Sequence, residues 1–368
     1  MENRKDIPTR ARFALAGMLL AACPLLMLLF SHLDTRPFPA YRHFSKAWLT
    51  LLSTITGWVP FALWDILLLA FAVIAVVVLI WRLVHRQRVL PWLSVVSLVL
   101  ALTAFAAVAG WALNHYAPPL AQDLGLEVRE YTVDELSDAT AFYLEEAARR
   151  APEVPRDEEG TLIKQDVYEL GRIAGTSYAA LGERHEVFAH GSSAPVKALL
   201  LWGEPLLYSG YVGMFWAPTG EATVAYNCAD ADIPFAMCHE AAHRLGLASE
   251  EEANFAAYLA CAASDDVRFS YAGAYNAFVY CFNKLYEASP DAAVELLNTA
   301  AASELGEGVR LVWADYRATY EHYQAYESCF EEVGDAVNEH YLQSFGETSG
   351  VRSYGLVVDY LIAWQQTQ

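Results

Sequence analysis

The stretch IPFAMCHEAAHRLGLASEEEAN, residues 233–254, carries the most structural and chemical information in the chain. His239 and His243 are four residues apart, so on an α-helix both imidazoles project from one face, one turn apart. Two neutral imidazoles at that spacing can bind one Zn²⁺. The apolar residues before His239 indicate a buried helix, where histidines without a partner would be costly. The spacing therefore predicts a zinc-binding helix.

Glu240 directly follows the first predicted ligand, which turns its side chain toward the side of the metal. A carboxylate in that position can take a proton from zinc-activated water and deliver it to a leaving amine. We therefore predict Glu240 as a catalytic residue in the hydrolysis of peptide bonds. The alternative is a surface helix on which the His and Glu side chains are incidental.

A third protein ligand is expected just beyond this helix, after a chain reversal at Gly246. Ser249 is the predicted N-cap of the next helix, and a capping box is the ordinary explanation for Glu252. Glu250 and Asn254 would then share one helix face. This spacing resembles the Glu-x-x-x-Asp of glutamate-ligated zinc peptidases, in which the Glu binds zinc and the Asp orients a ligand histidine. We predict Glu250 as the third ligand, with Glu252 as the alternative, and Asn254 as the orienting residue.

Three apolar segments occupy the start of the chain, from about Phe13 to Phe30, from Pro60 to Val84 and from Val89 to Leu113. Each is long enough to cross a hydrocarbon core of roughly 30 Å. Residues from Tyr41 to about Thr56 are typical of an amphipathic helix on the outer membrane surface. Residues 1–113 are therefore predicted to form a membrane anchor.

Basic residues predict how these spans are oriented, because cytoplasmic loops are enriched in Lys and Arg. Four basic residues precede the first span, and Arg82, Arg86 and Arg88 fill the loop between the second and third. Both regions are predicted to be cytoplasmic, although the basic residues of the first loop weaken the signal. Residues 114–368 are then extracytoplasmic, and the lipid bilayer is an expected partner.

Charge is unevenly distributed along the chain. Residues 1–113 hold 10 of the 24 Lys and Arg residues and 4 of the 44 Asp and Glu residues. Residues 114–368 therefore hold 14 basic and 40 acidic side chains, a net charge of −26. A domain this acidic repels phosphate backbones, which excludes nucleic acid as a partner.

The sequence after residue 113 predicts a mostly helical domain. Val133–Arg150 and Ile163–Leu181 have the pattern of helices, whereas residues 187–228 predict short strands with a turn at Pro218–Gly220. Residues Glu221–Asn227 are either an edge strand that binds substrate by strand addition or an ordinary hairpin strand. The expected fold class is mainly α, with three transmembrane helices followed by a predominantly helical zincin-like domain and a small β-sheet.

The stretch from about Gly213 to Ala363 resembles the DUF3810 family of bacterial HExxH membrane proteins. The motifs that carry the resemblance are TGEA at 219–222, the Pro234-Phe235 lead-in, HEAAHRLG at 239–246, EEEANFAAYLAC at 250–261, SDD at 264–266, Tyr341-Leu342 and GVRSYG at 350–355. The resemblance implies a gluzincin-like zinc metallopeptidase domain behind a group of membrane spans. It implies no particular substrate.

The function expected from these features is that of a membrane-anchored zinc metallopeptidase acting on a peptide or protein substrate outside the cytoplasm. Tyr354, with Arg352 beside it, is the candidate donor to the oxyanion; a tyrosine bonded at a helix start is the alternative. Two other functions stay open. One is a tethered protein that keeps zinc for structure with four protein ligands, and the other is a cell-wall amide hydrolase that uses the same site in a polar groove.

Overall fold

The structure, a computed structural model, describes residues 8–33, 38–345 and 356–368, and it is mainly helical with a three-stranded sheet. The N-terminal helices are α1 (Thr9–Ser31), α2 (Phe38–Thr56), α3 (Leu63–Val84) and α4 (Leu90–Gly110), with a 3-10 helix at Ala112–Tyr116 after α4. The helices before the sheet are α5 (Leu120–Leu124), α6 (Val133–Arg150), α7 (Val167–Thr176) and α8 (Ala179–Gly182), with a 3-10 helix at Glu186–Phe188. The remaining helices are α9 (Gly203–Leu207), α10 (Ile233–Arg244), α11 (Glu250–Ala262), α12 (Val267–Ala288), α13 (Pro290–Ala301), α14 (Gly306–Gln324), α15 (Cys329–Ser344) and α16 (Val357–Gln365).

Three N-terminal helices are long and apolar enough to cross a membrane: α1, α3, and α4 together with its 3-10 extension. They match the three predicted apolar segments, with ends shifted by a few residues. Most of their side chains are not buried within the chain, as expected for surfaces that face lipid. The chain therefore has the features of a membrane-associated protein.

Helix α6 coincides with the predicted helix because its start is fixed by a local motif. The Thr132 side chain accepts a hydrogen bond from the Glu135 amide, and the Glu135 carboxylate accepts one from the Thr132 amide, forming a capping box. The prediction of one helix over Ile163–Leu181 is wrong. Asp166 caps α7, so the helix begins at Val167, and α7 ends at Thr176 before the separate short helix α8.

The sheet contains β1 (Lys197–Leu199), β2 (Gly213–Trp216) and β3 (Glu221–Ala225) in the order β1-β3-β2. Strand β3 pairs in parallel with β1 and antiparallel with β2, and Met214 lies opposite Thr223. The turn between β2 and β3 passes through Gly220 at φ 67°, as the sequence predicts. Of the two alternatives for Glu221–Asn227, the edge strand is excluded because β3 is the central strand, and the hairpin strand is confirmed because β3 pairs antiparallel with β2, which is an edge.

The hydrophobic core of the domain lies where α6, α10, α11, α12 and α16 pack together. Large aromatic side chains fill it, and Tyr143, Phe255 and Phe278 are fully buried. The Tyr143 hydroxyl donates to the Leu361 carbonyl at 2.8 Å, which ties α6 to α16 across the core. Helix α10 is surrounded by this packing, so its position is set by contacts from several elements.

Helix α2 contacts the domain through one face of its amphipathic pattern, a contact that the predicted position on the membrane surface does not include. Lys46 is buried, and its ammonium group donates to the carbonyl oxygens of Val187 at 2.6 Å and Ala189 at 3.0 Å. Two turns further on, the Ser53 hydroxyl donates to the Ser192 hydroxyl at 2.7 Å. These contacts join the N-terminal helices to the domain.

The start of α3 is held to the sheet by two buried carboxylates. Asp65 accepts hydrogen bonds from three consecutive backbone amides, those of residues 200–202, at 2.9–3.0 Å. Glu221 accepts from the amides of Leu63 and Trp64 at 2.8 and 3.0 Å and from the Lys197 ammonium at 2.7 Å. The apolar helices are thus connected to the domain by polar contacts as well as by the chain.

Replacing Lys197 by methionine should destabilise the fold by about 3–5 kcal/mol, because Glu221 would keep a buried charge without its cation. Both side chains are almost completely buried. Denaturant unfolding of the detergent-solubilised protein would measure the loss. The Lys197→Met/Glu221→Gln double variant should recover much of the lost free energy of unfolding. The prediction would be contradicted if the single variant lost no more than about 1 kcal/mol, the contribution of a surface ion pair.

Candidate metal centre

Helix α10 holds His239 and His243 one turn apart on one face. The helix begins with Pro234 in its first turn, where the missing amide hydrogen costs nothing. The two Nε2 atoms are 3.0 Å apart. The predicted pairing of these imidazoles is therefore present in the structure.

Glu250 reaches the same point from α11. Gly246 adopts φ 90° just after α10 and reverses the chain, and the Ser249 hydroxyl accepts from the Glu252 amide to cap α11. Glu250 is the first residue of that helix. Its carboxylate oxygens lie 3.2 Å from Nε2 of His239 and 3.6 Å from Nε2 of His243. Among the residues that the structure describes, His239, His243 and Glu250 form the one group of three or more side chains spaced to hold a metal ion; we call it the three-residue centre.

Both imidazoles are oriented by hydrogen bonds at their other nitrogen. Nδ1 of His243 lies 2.7 Å from the Leu247 carbonyl oxygen, which can only accept, so this nitrogen carries the proton. Nδ1 of His239 lies 2.8 Å from Oδ1 of Asn254. With each Nδ1 acting as the donor, the Nε2 lone pairs of both rings point into the centre, the orientation needed in a metal-ligating histidine.

The spacing of these donors fits a tetrahedral metal ion. Zn–N bonds of about 2.0–2.1 Å in tetrahedral geometry place two donors about 3.3 Å apart, close to the 3.0–3.6 Å separations in the three-residue centre. Two imidazole lone pairs at 3.0 Å repel each other unless a cation lies between them. The donor set of two nitrogens and one carboxylate is one that zinc accepts.

The charge states of His243 and Glu250 suit a cation, whereas the neighbouring Glu250 outweighs burial at His239 and raises the pKa of that imidazole. Burial lowers the pKa of His243 to about 4, which keeps that ring neutral. Burial opposes the ionisation of Glu250, but the neighbouring His243 and His239 outweigh it and lower the pKa of Glu250 to about 2. A neutral imidazole and an ionised carboxylate are the forms in which these groups bind metals.

Glu240 lies buried beside the three-residue centre with unused hydrogen-bonding capacity. Its side chain is 4% exposed, and its Oε2 atom has no hydrogen-bond partner within the part of the chain that the structure describes. Burial raises its pKa to about 8. A methyl group on Gly213 would lie 2.4 Å from Oε1 of Glu240, so only glycine at this position of β2 leaves room for the carboxylate. A buried carboxylate without a partner is costly unless it serves a ligand.

A cleft of about 1460 Å³ opens onto this centre, and most of the residues that line it are apolar. Strand β2 lines it beside Glu240, α15 forms one wall, and the end of α4 forms another. His239, Glu240, His243, Glu250 and Asn254 all face the cleft. The three-residue centre is therefore accessible to a ligand much larger than water.

Trp111, at the end of α4, contacts the centre and was not predicted from the sequence. Its indole nitrogen donates to the His243 carbonyl at 2.7 Å, and its ring packs edge-on against the His243 imidazole at 5.9 Å. A tryptophan at the end of an apolar span is usually an interfacial anchor. The sequence therefore carries no signal that would distinguish a tryptophan that contacts His243 from an ordinary interfacial anchor.

The remaining predicted site residues lie elsewhere. The alternative ligand Glu252 points away from the imidazoles and accepts hydrogen bonds from the Leu120 amide at 2.7 Å and the Tyr360 hydroxyl at 3.2 Å. Burial raises the pKa of Glu252 to about 7. The predicted oxyanion donor Tyr354, and Arg352 beside it, lie outside the described residues.

Comparison with known proteins gives one match. A family model described as "Protein of unknown function (DUF3810)" matches residues 41–362, which include most of α2, all of α3 and α4, and nearly all of the domain. No curated protein and no solved structure matches the chain.

Proposed function

We propose that this chain, which belongs to the DUF3810 family, is a membrane-anchored zinc metallopeptidase that hydrolyses peptide bonds outside the cytoplasm. The observation that carries the proposal is the set of inward-pointing donors of His239, His243 and Glu250 next to Glu240, whose Oε2 atom has no hydrogen-bond partner among the described residues. The three would bind zinc, and the carboxylate would act on the substrate. An HExxH helix and a downstream glutamate ligand are the features of a gluzincin-like, zincin-type domain.

Zinc in such a site supplies Lewis acidity, which lowers the pKa of water toward about 7 and polarises a carbonyl group. The chain's own contribution is to position and move protons. Asn254 and the Leu247 carbonyl hold the two imidazoles in the ligating orientation. Glu240 would take a proton from the attacking water and transfer it to the leaving amine. Tyr354 remains our candidate for the oxyanion donor.

The substrate backbone would bind along β2. This strand is an edge of the sheet, and it lines the cleft next to Glu240. An extended peptide can add to an exposed sheet edge through main-chain hydrogen bonds. Pairing with β2 would carry a peptide bond past the three-residue centre, which supports a peptide as the substrate.

A structural zinc site is the less favoured function. Closed structural sites use four protein ligands, and the described residues offer three at this point. Glu252 is occupied by Leu120 and Tyr360, and Cys238 is buried in the core. A cell-wall amide hydrolase would need a polar groove, whereas this cleft is mostly apolar.

The purified full-length protein should contain one zinc ion per chain and hydrolyse peptides from a mixed library. Treatment with 1,10-phenanthroline should abolish hydrolysis, and added zinc should restore it, because the ion supplies the Lewis acid. Elemental analysis and mass spectrometry of the peptide products would measure both. Protein without bound zinc after purification in zinc-containing buffer, or hydrolysis that survives the chelator, would exclude the proposed function.

A further inference from the structure

One wall of the cleft is a helix that is apolar enough to span a membrane. Residues of α4 line the cleft at intervals of three and four, which places them on one helix face. These residues are Leu100, Thr103, Ala104, Ala107, Val108 and Trp111. At 1.5 Å per residue they extend over about 17 Å. The cleft therefore runs from the three-residue centre along the side of a predicted membrane span.

A second wall of the cleft carries an exposed apolar stripe in an otherwise acidic helix. Phe330, Val333 and Val337 of α15 are 63%, 59% and 66% exposed, and they line the cleft on one face of that helix. Acidic residues occupy other positions of the same helix. Contiguous exposed apolar surface of this kind marks a binding site.

Strand β2, which lines the cleft, favours a polypeptide over a lipid as the occupant of the cleft. Strand β2 is an edge strand that lines the cleft between these two walls. Its main-chain groups can pair with an extended peptide backbone, but an acyl chain has no groups that pair with them. Continuity of the same cleft with α4 extends the binding surface toward the bilayer.

We propose that the substrate is the apolar segment of a membrane-anchored polypeptide at the point where it leaves the bilayer. Its backbone pairs with β2, and its apolar side chains lie between α4 and α15. This inference rests on the proposed function and adds the substrate class. A lipid molecule or a soluble peptide as the true occupant would be revealed by the experiments below.

The first experiment uses the full-length, zinc-loaded protein in liposomes with two fluorogenic peptides that share one apolar reporter segment. One peptide continues into a 20-residue Leu-Ala span and the other does not. The anchored peptide should be cleaved at least ten-fold faster. Ala104→Trp, which fills the cleft from α4, should lower that rate at least ten-fold, and Val108→Trp should act in the same way.

Leu102→Trp is the matched control, because Leu102 lies on the opposite face of α4, is exposed and does not line the cleft. Leu102→Trp should leave the cleavage rates of both peptides unchanged. If the anchored peptide were cleaved faster only because it is concentrated in the membrane, none of the three substitutions should change its cleavage rate. Equal cleavage of both peptides, together with no effect of Ala104→Trp, would overturn the substrate class while the peptidase itself remained. Cleavage of neither peptide would overturn the proposed function and the substrate class with it.

The second experiment measures docking without hydrolysis. In the Glu240→Gln variant, a benzoylphenylalanine placed at Val337 should photo-crosslink to the anchored peptide. The same group at Val294, an exposed valine of α13 outside the cleft, should not. Absence of a product at Val337, or equal products at both positions, would overturn the proposed location. Competition by lipid alone would assign the cleft to a lipid instead.

Discussion

Replacing Glu240 by glutamine should reduce kcat for peptide hydrolysis by about 10²–10⁴-fold, the usual contribution of a general base. Glutamine keeps the shape of the side chain in the small space beside Gly213, but it cannot accept a proton from water. The proposed metal-ligating groups are unchanged, so zinc is expected to stay bound at one ion per chain. Steady-state kinetics on a fluorogenic peptide and elemental analysis of the same sample would measure both quantities.

The control for this variant is Glu183→Gln, because Glu183 is an exposed glutamate away from the cleft. It makes the same chemical change without touching the site and should retain full activity. Undiminished hydrolysis by the Glu240→Gln protein would remove Glu240 from the mechanism. Loss of zinc along with activity would instead mean that the side chain supports the metal.

Replacing Glu250 by alanine should weaken zinc binding by more than about 100-fold, since even residues that only orient a ligand contribute 10–100-fold. Glu250 is the side chain that faces both imidazoles, and its removal would leave two protein ligands. Competition titration with a chromogenic chelator would measure the affinity. Thermal unfolding of this variant should also lose its response to added zinc, because the ion would no longer bind the folded state tightly.

The Glu252→Ala variant tests the alternative ligand in the same assay. Zinc affinity should be retained, because Glu252 lies away from the imidazoles. Stability should fall by about 1–3 kcal/mol, since the Leu120 amide loses its acceptor in a buried position. The reverse result, with zinc lost in Glu252→Ala and retained in Glu250→Ala, would overturn the assignment of the third ligand.

The side-chain positions that the sequence predicts correctly are those that depend only on one or two turns of a helix. The i, i+4 spacing of His239 and His243 fixes their common face wherever the helix lies. Glu250 and Asn254 follow in the same way from the cap at Ser249, and the structure brings both to the imidazoles. Local geometry alone, however, did not separate Glu250 from Glu252.

Whether Glu250 or Glu252 faces the imidazoles depends on residues that are distant in the sequence. Glu252 is held by Leu120 and Tyr360, 132 and 108 residues away in sequence. The sequence also does not separate the two alternatives for Glu221–Asn227, because it does not reveal that β1 and β2 pair on the two sides of β3. All five residues of β3 are buried, because α2, α9 and α10 contact the strand in addition to its two neighbouring strands.

The sequence by itself determined the three apolar helices, helix α6, the strand-forming region and the paired histidines. Each of these depends on local hydropathy, helical periodicity or a cap within a few residues. The tertiary structure alone decided between Glu250 and Glu252, made β2 the edge beside Glu240, and placed α4 and Trp111 along a wall of the cleft. These features arise from packing between distant segments, where many combinations satisfy the same local patterns and only the complete set of contacts selects one.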